Sequence, residues 1–237
     1  MIVARALMKS FGGVAALRGL DVTIAAGVVT AIVGPNGAGK TTFIKSLLGL
    51  TRPDAGELTF DGARIGTDGA YRARIGYMPQ IARFPDNLTG IELLALLRDL
   101  RGTAADADDA LIDQLTLGAA LAKPLRVLSG GTRQKVNAVA AFMFSPDLYI
   151  LDEPTSGLDP VSAGILKDRI RAEREQGRTV ILTSHVLSEV DELADDIVFL
   201  HEGQVAFAGA VRELKVRTGE PSVERAVAEL MLKQAAA

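Results

Sequence analysis

The chain has 237 residues, 48% of them hydrophobic, with a formal charge of −3. That length and apolar content suffice for a large buried core, and the near-neutral balance argues against both disorder and the basic footprint of a nucleic-acid binder. Cysteine is absent, which excludes disulfides and thiolate metal sites; the two histidines, His185 and His201, are too few and too far apart for a zinc motif.

In chain order, the N-terminal third reads as strand-rich. The runs Ile2 to Met8, Asp21 to Ile24, Val28 to Val33 and Gly56 to Phe60 are separated by glycine turns such as Asp61-Gly62. Met1-Ile2-Val3-Ala4-Arg5 opens no apolar leader, so no signal peptide is expected. Ile24 to Val33 and Val136 to Phe144 fall short of the ~20 residues that span a bilayer, and read as core strand and core helix.

Between the Val28 to Val33 strand and a helix over Thr42 to Leu48 lies Gly34-Pro35-Asn36-Gly37-Ala38-Gly39-Lys40-Thr41, which fits G-x-x-x-x-G-K-S/T. A strand, a glycine loop and a helix N-terminus place several backbone N–H groups and the positive end of a helix dipole around one anion. Glycines admit phosphate oxygens that a Cβ would block. Lys40 can reach the β- and γ-phosphates, and the Thr41 hydroxyl can hold Mg²⁺. A glycine-rich turn with a stray lysine is the competing reading, disfavoured by the flanking strand and helix.

Ile75 to Gln80 reads as a strand ending at Pro79. From Leu88 to Phe144 the spacing is helical, with an acidic linker at Asp106 to Asp109. Leu148 to Leu151 is an apolar strand running into Asp152 and Glu153. Adjacent carboxylates at a buried strand end are costly unless a cation or a reaction uses them. Asp152 suits an outer-sphere role for Mg²⁺ on Thr41, and Glu153 can polarise an attacking water. An acidic cap on the next helix is the plainer alternative. A helix over Val161 to Gln176 and strands over Thr179 to Thr183 and Ile197 to Leu200 follow, with His201 an ordinary turn residue. Ser222 caps a last helix, Val223 to Lys233, whose Val223, Val227, Leu230 and Met231 share a face that packs on the domain. The alternation predicts a mainly parallel sheet covered by helices, with ligands at the strands' carboxyl ends.

Leu128-Ser129-Gly130-Gly131 follows the phosphate loop, and Leu151-Asp152-Glu153-Pro154 and His185 follow in turn. With that ordered set the chain resembles the nucleotide-binding subunits of ABC transporters, from Phe11 to about Gly209. The resemblance implies an α/β fold and a single ABC ATPase domain over 1–237. A P-loop NTPase (RecA-like) core at about 1–86 and 145–210 would carry an N-terminal antiparallel β subdomain. A helical signature subdomain would be inserted at about 87–144, with a helical tail at about 211–237.

The resemblance also implies roles. Gly34, Pro35, Asn36, Gly37, Ala38, Gly39, Lys40, Thr41 and Thr42 would hold ATP, with Phe11 stacking on adenine or, on the plainer alternative, serving as a simple core residue. Ser129, Gly130 and Gly131 would address the γ-phosphate bound to a second subunit, and Asp159 in Ser156-Gly157-Leu158-Asp159 would act across that interface. Thr41, Gln80 and Asp152 would serve Mg²⁺, while Glu153, His185 and Gln80 would serve hydrolysis. Thr132 stands where glutamine is common, with little loss expected.

The implied partners are a second copy in a head-to-tail homodimer and a separate transmembrane permease docking near Ile81 to Arg101. The subunit would then sit in the cytoplasm, peripheral on the inner face of the cell membrane, and no nucleic-acid partner is expected. The runs Gly76 to Pro85 and Ser129 to Val136 are similar to copper-processing ATPases associated with nitrous-oxide reductase maturation, which would add a periplasmic copper-handling partner. The alternatives are a general exporter subunit, a soluble ATPase acting on a protein assembly such as an iron–sulfur scaffold, and a non-hydrolytic regulatory module, the last disfavoured by Glu153 and His185.

Overall fold

The structure, a computed structural model, describes residues 1–66, 69–102 and 107–235. Asp106, at the start of the expected acidic linker, lies outside them. Strands β1 (Ile2–Phe11) and β2 (Val14–Ile24) form an antiparallel hairpin. Gly12 and Gly13 close it at φ 53° and 86°, the left-handed geometry that two-residue hairpin turns demand. The expected strand at Asp21 begins seven residues earlier, at Val14, because Gly19 (φ 72°) interrupts the alternation without ending the strand. A bulge in β1 leaves Ala6 at φ 46°, and its freed N–H donates to Asp21 Oδ1 at 2.8 Å.

Strand β3 (Val29–Val33) leads through the glycine loop into α1 (Lys40–Leu47). Next come β4 (Ala55–Phe60), β5 (Ala63–Arg64), a 3₁₀ turn over Ala70–Arg74 and β6 (Ile75–Met78). The expected helical stretch is broken into α2 (Gly90–Arg101), α3 (Ala110–Gln114), α4 (Gly118–Leu121) and α5 (Gly130–Phe142). Helix α2 starts at a capping box: Glu92 N–H donates to Thr89 Oγ1 at 3.2 Å and Thr89 N–H to Glu92 Oε2 at 2.8 Å. Gly102 ends it in a left-handed cap.

Strand and helix then alternate: β7 (Leu148–Asp152), α6 (Pro160–Glu175), β8 (Thr179–Thr183), α7 (Leu187–Leu193), β9 (Asp196–His201) and β10 (Gln204–Ala210), closing with α8 (Val211–Thr218) and α9 (Val223–Ala235). His201 is the last residue of β9 rather than a turn residue; the turn is Glu202-Gly203. On α9, Val223, Val227 and Leu230 are buried as expected, joined by Ala226, whereas Met231 is 41% exposed and falls off that face.

Two sheets result. One is antiparallel, in the order β2-β1-β4-β5; the other runs β10-β9-β3-β8-β7-β6 and is parallel except for β10. The parallel strands are apolar on both faces. Tyr149, Leu151, Val180 and Leu182 join one core with α5 and α6, while Ile150, Ile181 and Val198 join a second with α1 and the antiparallel sheet. Uninterrupted apolar runs are the sequence mark of such strands. No helix among the described residues is long and apolar enough to cross a membrane.

Arg169 on α6 ties the helical segment to that helix. It bridges Asp108 at 2.6 Å and Glu173 at 2.8 Å, and Glu173's side chain is only 2% exposed. Removing the cation strands a buried carboxylate, so Arg169→Met is expected to cost about 3 kcal/mol of stability. Urea unfolding checks this; a loss below about 1 kcal/mol, the scale of an exposed pair, would show that the pair contributes little.

Candidate functional site

The glycine loop leaves β3 at the carboxyl end of the sheet. Gly34 turns there at φ 149°, and a Cβ would sit 2.1 Å from the Leu200 carbonyl oxygen, so the first glycine is sterically required. The β9–β10 turn braces the loop from below, where Gly203 N–H donates to Ala38 O at 3.1 Å. Lys40 Nζ donates to Gly34 O at 2.6 Å and Pro35 O at 3.0 Å, which folds the lysine back over its own loop. Burial lowers the Lys40 pKa, while Glu153 and Asp152 oppose that shift and favour the charged form.

A cleft of about 370 Å³ opens above this loop. It is lined by Asn36 to Thr42 and Gln80, by Asp152, Glu153, Thr183 and His185, and by Val14 to Ala16 of β2. Of the expected residues, the structure thus brings Asn36 to Thr42, Gln80, Asp152, Glu153 and His185 together around one space, while Gly34 and Pro35 precede them in the loop and do not line it. A cleft of similar size, about 390 Å³, lies beside the C-terminal end of α1 between Ser46, Arg52 and Arg64, with no acid or histidine lining it among the described residues. Chemistry, not volume, singles out the first.

Glu153 is 7% exposed and adopts φ 52°, a left-handed conformation that costs a glutamate of order 1 kcal/mol or more. Its surroundings hold it there. Its N–H donates to Thr183 Oγ1 at 3.0 Å, and Thr183 Oγ1–H donates to Asp152 Oδ1 at 2.6 Å. His185 N–H donates to Glu153 Oε2 at 3.2 Å, and His185 Nε2 lies 3.3 Å from Oε1. Burial raises the Glu153 pKa, Asp152 adds to the rise, and His185 and Lys40 oppose it. A carboxylate made more basic, beside a half-exposed imidazole and a lysine, is suited to accept a proton from water.

The remaining expected residues lie elsewhere. Ser129, Gly130, Gly131 and Asp159 do not line the cleft, and Ser129, Gly130 and Asp159 are exposed. Ser129 caps α5, its Oγ accepting from Thr132 N–H at 3.2 Å and sitting 2.8 Å from Thr132 Oγ1. Gly131 packs on the Ser156–Asp159 loop, where a Cβ would come within 2.8 Å of Gly157 O. Asp159 caps α6 through Ser162 N–H and Oγ–H and pairs with Lys135 at 3.0 Å; the Ser162 bonds, with Lys135, hold its carboxyl far below the usual range. Phe11 is 51% exposed at the end of β1, outside the cleft lining, with Lys9 Nζ 5.2 Å from its ring centre. It is not a core residue.

Three side chains near the site went unanticipated. Thr183 passes for one more residue of an apolar strand. Gln134 and Asn137 are polar positions on an apolar helix face, which was the available signal.

A phosphate loop at a strand's end, facing paired carboxylates and a histidine, defines a P-loop protein of the ATPase class. The ABC transporter family profile matches residues 17–156, and the chain belongs to that family in its ATP-binding portion. It is 40% identical over 218 residues to the daunorubicin/doxorubicin resistance ATP-binding protein DrrA of Streptomyces peucetius, covering 90% of this chain and 66% of the relative. It is 35% identical to the Nod factor export ATP-binding protein I of Burkholderia lata, covering 89% and 71%. A solved ATP-binding subunit of an ABC transporter superposes with a TM-score of 0.91 at 29% identity, over 98% of this chain and 99% of that one. The ABC ATPase fold follows.

Proposed function

We propose that the chain hydrolyses ATP in a head-to-tail pair and drives a separate transmembrane permease. The observation that carries this is the split of the functional residues. Lys40, Asp152, Glu153 and His185 line the cleft, whereas Ser129 and Gly130 stand exposed at the start of α5. A helix N-terminus with bare glycines is built for an anion and faces none of its own chain's cleft, which suits the phosphate of a second copy.

In this mechanism the loop N–H groups and Lys40 bind the phosphates, and Glu153 takes a proton from the attacking water while His185 holds the carboxylate in place. The oxygen donors of Thr41, Gln80 and Asp152 fit Mg²⁺. When bound, the ion would neutralise charge on the β- and γ-phosphates. Phe11, at the rim beside Val14 to Ala16, is assigned to the adenine. The division of labour is a core over about 1–86 and 145–210, a helical signature part over about 87–144 and a tail over about 211–237. The permease meets Ile81 to Arg101 and holds the subunit on the inner membrane face.

For cargo, the runs Gly76 to Pro85 and Ser129 to Val136 favour copper processing, while the relatives carry names of drug resistance and Nod factor export. The chain has no cysteine, and among the described residues no three His, Asp or Glu cluster to hold a metal, so copper would be handled by a partner. The test is affinity purification of the full-length Glu153→Gln chain from native membranes with Mg·ATP. A multi-span permease is the expected companion, and a periplasmic copper-binding protein with it would select the copper reading. Recovery of soluble scaffold proteins alone would overturn permease coupling.

A further inference from the structure

Helix α5 faces the core with Val136, Ala138, Val139 and Phe142, yet the same buried side carries two amides, Gln134 (7% exposed) and Asn137 (1% exposed). Burying an amide costs free energy unless its hydrogen bonds are made. Here they are made to the backbone that follows the neighbouring strands β6 and β7. Asn137 Nδ2–H donates to Pro79 O at 2.8 Å and to Gln134 Oε1 at 3.3 Å. Gln134 Nε2–H donates to Pro154 O at 3.3 Å, with the Glu153 carbonyl at a marginal 3.5 Å. The chain of contacts therefore runs from Pro79 through Asn137 and Gln134 to Pro154.

Both acceptors adjoin cleft residues: Pro79 precedes Gln80, and Pro154 follows Glu153. Glu153 holds a left-handed φ of 52°, which needs support from its neighbours. Thr183 Oγ1 accepts its N–H, and Gln134 Nε2–H donates to the carbonyl of the next residue, Pro154. Helix α5 meanwhile begins with Ser129, Gly130 and Gly131 one turn before Gln134. Any tilt of α5 would move both carbonyl contacts together.

We propose that Gln134 and Asn137 are positioning residues that link the attitude of α5 to Gln80 and Glu153, so that engagement of the Ser129–Gly131 segment aligns the hydrolytic groups. This rests on the ATPase reading above. The two amides touch neither substrate nor metal, and act through the backbone of the residues that do.

The test uses the full chain with Mg·ATP, measuring kcat, KM, nucleotide Kd and thermal unfolding. Asn137→Leu and Gln134→Met keep volume and remove the donors; each is expected to lower kcat about tenfold with Kd changed less than about twofold. Because one chain of bonds is broken, the double variant should be no more than about twofold slower than the worse single. Single variants within about twofold of wild type, or multiplying effects, overturn the proposal. If Asn137→Leu shows no cooperative melt, Gln134→Met decides. A wild-type chain that hydrolyses no ATP, alone or with its permease, removes the underlying reading and overturns both; active wild type with unaffected variants overturns the positioning role alone.

Discussion

Glu153→Gln is expected to keep ATP affinity while lowering kcat about 10²- to 10⁴-fold, the usual contribution of a positioned base. Glutamine preserves the shape and can still accept the His185 N–H bond, so the cleft and its strained turn survive. What it loses is the ability to take a proton. ATP that binds and is not cleaved should leave the two-subunit form persistent on size-exclusion chromatography. Turnover within about twofold of wild type would remove Glu153 from the base role. The pH profile supplies an independent check. Because burial raises the Glu153 pKa, acidification should protonate it at a higher pH than an ordinary carboxylate. The acid limb of wild-type kcat should therefore fall early and be absent from the glutamine variant.

Lys40→Ala should act on the other half of the chemistry. It removes the only lysine that lines the cleft among the described residues, and with it charge-assisted bonds to phosphate that are each worth roughly 1.5–3 kcal/mol. ATP affinity by calorimetry is expected to weaken by about 10- to 100-fold or more. In the structure Lys40 gives two of its three N–H donors to Gly34 O and Pro35 O. Unchanged affinity would mean that Lys40 never leaves them, and the phosphate-loop assignment would fall with it.

What could be read ahead of the structure was whatever depends on local chemistry. The loop from Gly34 to Thr41 was legible because glycine, lysine and hydroxyl positions there answer to one bound anion. Strands β3, β7 and β8 were legible because burial on both faces writes a continuous apolar run. Strand β10 was not: in Gln-Val-Ala-Phe-Ala-Gly-Ala only Phe207 is buried, and its pairing with β9 is set by the Glu202-Gly203 turn. The break-up of the helical segment escaped because each piece depends on contacts distant in sequence. Gly90 shows this, since a Cβ there would strike Leu121 of α4 at 2.4 Å. Gln134 and Asn137 bond to backbone carbonyls, which leave no mark in side-chain identity.

The position of β3 carries a consequence for biosynthesis. Its two neighbours in the sheet are β8 and β9, paired through Val29↔Val180 and Thr30↔Asp196. On the ribosome, the strand that ends in the nucleotide loop emerges early and waits for most of the chain before either edge is covered. Until then it exposes an apolar, unpaired strand, a species prone to associate with others like itself. The nucleotide pocket is thus a late product of synthesis, closed only when residues near 200 have been delivered. Chaperone demand during translation, rather than instability of the finished fold, is where such an arrangement is most exposed.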